Sequence, residues 1–136
     1  YDNRDSKNPS LLISAREMNI LKRFSLDGKF IESIKVPGAL ICRPVIHNKD
    51  IYFAVLKSKD SPNADSGFLL IMNEKNEVVS CPGATAPTYK NNELKELYQT
   101  IRLFQYPHDV CIDKDENVYV AQWNSGQTYP IKLTRV

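Results

Sequence analysis

Apolar residues in this chain fall in short runs bounded by turn-forming residues, and only one segment carries a helical spacing. The clearest strand pattern lies between Pro107 and Leu133. There Val110–Ile112 and Val118–Ala121 flank the polar break Asp113–Asn117, and β-branched and aromatic residues dominate both runs. That pattern predicts a hairpin with a tight acidic turn. A second break at Asn124–Gln127 predicts a third strand over Tyr129–Leu133.

Upstream runs read the same way. Ile20–Ser25 and Lys29–Ile34 flank Leu26-Asp27-Gly28, and an Asp-Gly pair between two such runs is a strong hairpin signal. Leu40–Ile46 predicts a strand whose ladder Pro44 interrupts, His47–Asp50 turns the chain, and Ile51–Leu56 pairs back. Lys57–Ser66 predicts a long polar loop. Phe68–Asn73 and Glu77–Cys81 then flank Glu74-Lys75-Asn76 as another strand pair. The exception is Leu94, Leu97, Tyr98 and Ile101, spaced i, i+3, i+4 and i+7. This predicts a short helix, with Asn92 as N-cap and Pro107 as a stop.

Leu12-Ile13-Ser14-Ala15, Ile51-Tyr52-Phe53-Ala54 and Val118-Tyr119-Val120-Ala121 share one template: apolar, strand former, strand former, alanine. Leu12 and Ile51 stand 39 residues apart, and Ile51 and Val118 stand 67 apart. The first spacing is close to the period of roughly 40 residues found in blade repeats, and the second adds an insertion. The expected fold is therefore all-β: a partial β-propeller of about three four-stranded antiparallel blades, with one short helix in an inter-blade insertion. Residues 10–34 form an incomplete blade, 36–81 a full one, 82–106 the insertion and 107–136 an incomplete last blade. The polar leader, residues 1–9, reads as a linker, an edge loop or the tail of a preceding strand.

Size and charge add a few limits. The 136 residues, 42% of them hydrophobic, suffice for one domain with a core. The net charge of +2 comes from interspersed charges, so nothing points to nucleic acid or an anionic membrane as partner. No apolar run approaches the length of a membrane span. Cys42, Cys81 and Cys111 make an odd set without a CxxC pair, so they read as small apolar residues in or beside strands. The chain starts at Tyr1 rather than Met, which suggests a processed product or part of a longer protein and inclines the reading towards an extracytoplasmic setting.

In a meander of four strands, alternate connections emerge at opposite ends of the sheet. The short turns at Asp27-Gly28, Asn48–Asp50, Lys75-Asn76 and Asp113–Asn117 share one end. Arg16–Asn19, Lys57–Ser66, Trp123–Thr128 and the insertion share the other, so ligand binding is expected there. His108 emerges at that elaborated end, where the inner strand of the last blade begins, and His47 falls at the plain end. His108, Asp109, Gln122, Trp123, Asn124 and Arg16 are the candidate binding residues, suited to a protein, peptide or carbohydrate through stacking and hydrogen bonds. Trp123 is expected to cluster there with Tyr129, Tyr106 and Tyr98 and to pack beneath the insertion as rim core, the alternative being an exposed stacking surface. The acidic turn at Asp113 lacks the spacing of a calcium loop, no Ser is placed to form a triad with His108, and Cys111 lies at an odd offset from His108.

Pro107-His-x-Val-x-x-Asp-x-x-x-Asn-Val-Tyr-Val120 resembles the repeat of the NHL β-propellers, and Ser10–Ile34 is similar to its strand, Asp-Gly-Lys-Phe, strand element. The resemblance covers about two thirds of the chain and implies a usually six-bladed ring. The rest of that ring would come from further blades of a longer chain or, less readily, from a second copy. Asp109 stands where the family usually has Gly, and Gln122-Trp123 replace the commoner Asp-x pair. One branch of the superfamily, the peptidyl-hydroxyglycine amidating lyases, holds zinc with His at positions similar to His108. That branch implies an alternative function, a zinc-dependent lyase or hydrolase with His108 as a metal ligand at the channel mouth.

Overall fold

The computed structural model describes residues 1–58 and 67–134. The first sheet is built from β1 (Ser10–Ala15), β2 (Ile20–Ser25) and β3 (Phe30–Lys35), antiparallel and in that order. Gly28, at φ 86°, supplies the left-handed turn residue between β2 and β3. A 3₁₀ turn over Arg16–Met18 joins β1 to β2 and closes on Asn19 at φ 54°, whose Nδ2 donates to Ala39 O at 2.9 Å.

The second sheet holds β4 (Ala39–Ile41), β5 (Val45–His47), β6 (Asp50–Ser58), β7 (Phe68–Met72) and β8 (Val78–Ser80), with β4 and β5 both paired to β6. Pro44 lies in the gap between β4 and β5 and has no N–H to offer the ladder, so the first strand is broken there. Lys57 and Ser58 belong to β6. The rest of the polar loop expected over Lys57–Ser66 falls outside the described residues. β9 (Tyr89–Lys90) and β10 (Glu93–Leu94) pair as a small separate hairpin. The third sheet is β11 (Pro107–Ile112), β12 (Val118–Gln122) and β13 (Ile131–Leu133). Its last strand starts two residues later than Tyr129, which is 90% exposed.

The three larger sheets pack face to face through two apolar clusters. Leu12 and Leu21 of the first sheet meet Ile51, Phe53, Val55, Phe68, Leu70 and Met72 of the second. Ala54 and Leu69, on the opposite face of the second sheet, meet Val110, Val118 and Val120 of the third. Side chains alternate faces along a strand, so β6 and β7 serve both clusters and read as near-continuous apolar runs. Full burial of each large side chain contributes about 1.5–3 kcal/mol, and Phe53, Phe68 and Leu70 are all 0% exposed.

The all-β expectation holds, but two details differ. Leu12, Ile51 and Val118 are not equivalent in facing. Ile51 and Val118 point back towards the preceding sheet, whereas Leu12 points forward to the second sheet, across from Ile51. The four-letter template is therefore out of phase by one residue in β1, which reverses every facing in that strand. Leu11 and Ile13 occupy the positions that face as Ile51 and Val118 do, and Ile13 is 50% exposed.

The helix expected in 82–106 is absent. Asn91 and Asn92 take φ 52° and 62°, which makes the turn of the β9–β10 hairpin rather than an N-cap. Beyond it the backbone is tied to other segments, with Leu97 N donating to Pro37 O at 3.0 Å, Thr85 N to Tyr98 O at 2.8 Å and Thr100 N to Gly83 O at 3.0 Å. Leu97 is buried, while Tyr98 and Ile101 are 43% and 58% exposed, so the four residues share no face. A helix of about eight residues is marginal in isolation, and these long-range bonds win. The insertion is also fastened to β8, where Val78 N donates to Tyr89 Oη at 2.6 Å. Tyr89→Phe leaves that N–H without its partner and is expected to cost about 1–2 kcal/mol, measurable as a lower midpoint in urea unfolding.

Candidate functional site

The leader and the short turns gather at one end of the stack. Asp2 pairs with Ser10 as a single antiparallel bridge, filling the strand position beside β1. Its carboxylate is 3% exposed and receives Arg4 Nη2 at 2.9 Å and Arg23 Nη2 at 3.5 Å. Arg4 also donates to Lys49 O, Asn73 O and Asn76 Oδ1, which ties the leader to two turns of the second sheet. The Asp113 turn is likewise closed on itself. The carboxylate accepts from the side-chain amide of Asn117, from the N–H groups of Asn117 and Asp115 and from Tyr119 Oη. The Asn117 side chain leads these in holding Asp113 down to about 2. The acidic pattern is thus a hydrogen-bonded turn.

At the other end, the three sheets converge. Arg16, at the end of β1, places Nη2 3.3 Å from Cys42 Sγ, just past β4. Cys42 Sγ in turn lies 3.8 Å from Pro107 O at the start of β11. Arg43 grips Asp109 through Nη2 at 3.0 and 2.8 Å and Nε at 3.2 Å. With side chains 66% and 40% exposed, this pair contributes little stability and serves to orient both groups. A row from Arg16 through Cys42 and Arg43 to Asp109 therefore crosses all three sheets.

The β11–β12 ladder explains how His108 enters this row. Pro107 pairs with Gln122 and Asp109 with Ala121, leaving His108 unpaired in a bulge. Bulges re-aim side chains at sheet ends, and His108 is exposed with its ring 6.4 Å from that of Trp123. Trp123 also meets Tyr106 edge-on at 5.9 Å and its backbone N–H donates to Tyr106 O at 2.9 Å. The indole is 58% exposed, so it does not pack as rim core beneath the insertion. It has Tyr106 and His108 beside it and forms an open aromatic shelf.

The remaining candidates serve the loop. Gln122 Oε1 accepts from Gln105 N at 2.6 Å and its Nε2 donates to Thr128 Oγ1 at 2.9 Å, which fixes the strand end to the Trp123–Thr128 connection. Asn124, at φ 49°, shapes that connection. His108, Asp109, Trp123 and Arg16 thus share one end of the molecule, with Gln122 and Asn124 behind them. His47 ends β5 at the opposite end, against Tyr52. Sequence reasoning passed over Arg43 and read Cys42 only as a small apolar residue. The available signal was an arginine beside Pro44 in an otherwise apolar run.

Burial raises the Cys42 thiol, and the nearby Arg16 guanidinium only partly offsets this. Burial pushes the Cys81 thiol up to about 12. Both are therefore neutral thiols rather than nucleophiles or soft ligands at neutral pH. Among the described residues no three His, Cys, Asp or Glu side chains gather where a metal ion would sit. His108 is the one imidazole at this end and Asp109 is engaged by Arg43, so the residues present do not compose a zinc centre. No helix among the described residues is long and apolar enough to cross a membrane.

Against protein-family models, curated proteins and solved structures alike, the chain finds no match.

Proposed function

We propose that this chain is part of an NHL-like β-propeller and binds a protein, peptide or carbohydrate at the end where Arg16, Arg43, His108, Asp109 and Trp123 emerge. The observation that carries the binding reading is the convergence of three sheets on one exposed aromatic shelf flanked by charged hydrogen-bonding groups. An exposed Trp and a partly buried Tyr beside such groups suit ligands that stack and hydrogen-bond.

The outer faces of the first and third sheets support the propeller reading. Ile13, Phe30 and Ile31 of the first sheet are 50%, 59% and 51% exposed. On the far side of the third sheet, Cys111, Tyr119, Ala121 and Pro130 line a hollow of about 300 Å³. Both faces expose apolar side chains, beside Lys22 on the first and Lys132 on the third, and further sheets of the ring, from a longer chain or less readily a second copy, would cover the apolar part.

Peptide and glycan arrays probed with the protein test the binding reading, followed by titration of each hit against Trp123→Ala and His108→Ala. Loss of the stacking shelf in Trp123→Ala is expected to weaken binding by about thirtyfold, in the range of an interface hot spot. Hits that bind both variants with unchanged affinity, or arrays without hits, would sink this assignment.

A further inference from the structure

Two arginines stand in the row that crosses the sheets, and they differ in one respect. The fork of Arg43 is filled by the Asp109 carboxylate. Arg16 is half-buried, and among the described residues its guanidinium has a neutral partner, Cys42 Sγ, and no carboxylate. The thiol supplies no counter-charge, since its burial keeps it protonated. Of the three groups Arg16, Arg43 and Asp109, the single carboxylate is taken by Arg43, which leaves the Arg16 charge without a counter-charge among them.

We propose that Arg16 anchors a carboxylate of the ligand that stacks on Trp123, Tyr106 and His108. The inference rests on the binding reading above and narrows its substrate class to acidic ligands. Two observations favour a carboxylate over a phosphate. A single unfilled guanidinium balances one negative charge, and Arg43 with Asp109 shows that carboxylate-on-guanidinium geometry is accommodated here. The carboxylate source is the C-terminus of a peptide or an acidic sugar, and the test separates them.

Trp123 is the chain's only tryptophan and lies on the shelf, so its fluorescence reports occupancy directly. The probes are an N-acetylated tripeptide as free acid and as amide, and a galacturonic acid trisaccharide beside its neutral galactose counterpart. One acidic probe is expected to bind about tenfold more tightly than its neutral partner, as befits one charge-assisted hydrogen-bonded contact. The responding pair identifies the source. Arg16→Gln is expected to abolish the preference, and Arg16→Lys, which keeps the charge but not the fork, to retain part of it. Equal binding of acid and neutral probes, or a preference that survives in Arg16→Gln, overturns the Arg16 assignment alone. No change in Trp123 fluorescence with any probe overturns the binding reading and this inference with it.

Discussion

Replacing Asp2 with alanine is expected to lower the unfolding free energy by about 3–5 kcal/mol, the cost of breaking a buried ion pair by removing one partner. The expectation follows from the 3% and 7% side-chain exposure of Asp2 and Arg4 and from the second contact to Arg23. Without the carboxylate, Arg4 keeps its bonds to Lys49 O, Asn73 O and Asn76 Oδ1 but carries an unbalanced charge in a site largely closed to water. Asp2→Ala combined with Arg4→Ala is expected to recover part of the loss, because the two residues act as one unit. Denaturant midpoints of the single and double variants measure this, and additive losses would contradict it.

The same pair makes stability depend on acid. Burial acts to raise the Asp2 carboxyl, but the Arg4 hydrogen bonds and the charges of Arg4 and Arg23 outweigh it, so the group is held below its ordinary value of 3.8. A carboxyl depressed in the folded state contributes fully above that ordinary value and is lost as pH falls through its folded one. The gap between wild type and Asp2→Ala should therefore narrow as the solution is acidified through that range.

Gly38→Ala is expected to cost about 3 kcal/mol or more, and for a different reason. Val36-Pro37-Gly38-Ala39 is a tight turn, with Ala39 N donating to Val36 O at 3.0 Å and Gly38 at φ 79°. A side chain is strained in that conformation, and Pro before Gly matches the second and third positions of a type II turn. Space is also lacking, because an added Cβ would lie 2.2 Å from Leu97 O and 3.1 Å from Leu97 N. Both are backbone atoms, so the insertion itself must move, with loss of the Leu97 N–Pro37 O bond and displacement of a Leu97 side chain that is 1% exposed. A thermal melt shifted down by several degrees, with faster proteolysis confined to residues 82–106, is the expected result. An unshifted melt would show that the insertion relocates freely.

Much of this architecture was legible in the chain. Strands bounded by Asp-Gly, Asn-Lys-Asp and the acidic turn at Asp113 follow from local backbone chemistry, and β7 reads as a doubly buried strand because Phe-Leu-Leu-Ile-Met has no polar position. The reading failed where distant backbone decided the outcome. Leu94 to Ile101 carries a helical period, but pairing with Gly83, Thr85 and Pro37 is invisible to any local window. The phase of β1 was missed because Leu-Leu-Ile offers apolar residues to both faces, so the pattern does not choose between them. His108 and Trp123 were recognisable as residue types at a strand entrance and exit. Their meeting depends on a bulge, and the pairing of Arg43 with Asp109 depends on contact between two sheets.

The doubly covered middle sheet constrains how such a protein can change. β6 and β7 have apolar neighbours on both sides, so a polar substitution at most of their positions has nowhere to hydrate. The strand entrances and connections carry no such restriction, and His108 already lies outside the ladder. Latitude for altering ligand preference is therefore concentrated in the rim, where residues can be exchanged while the interior that positions them stays intact.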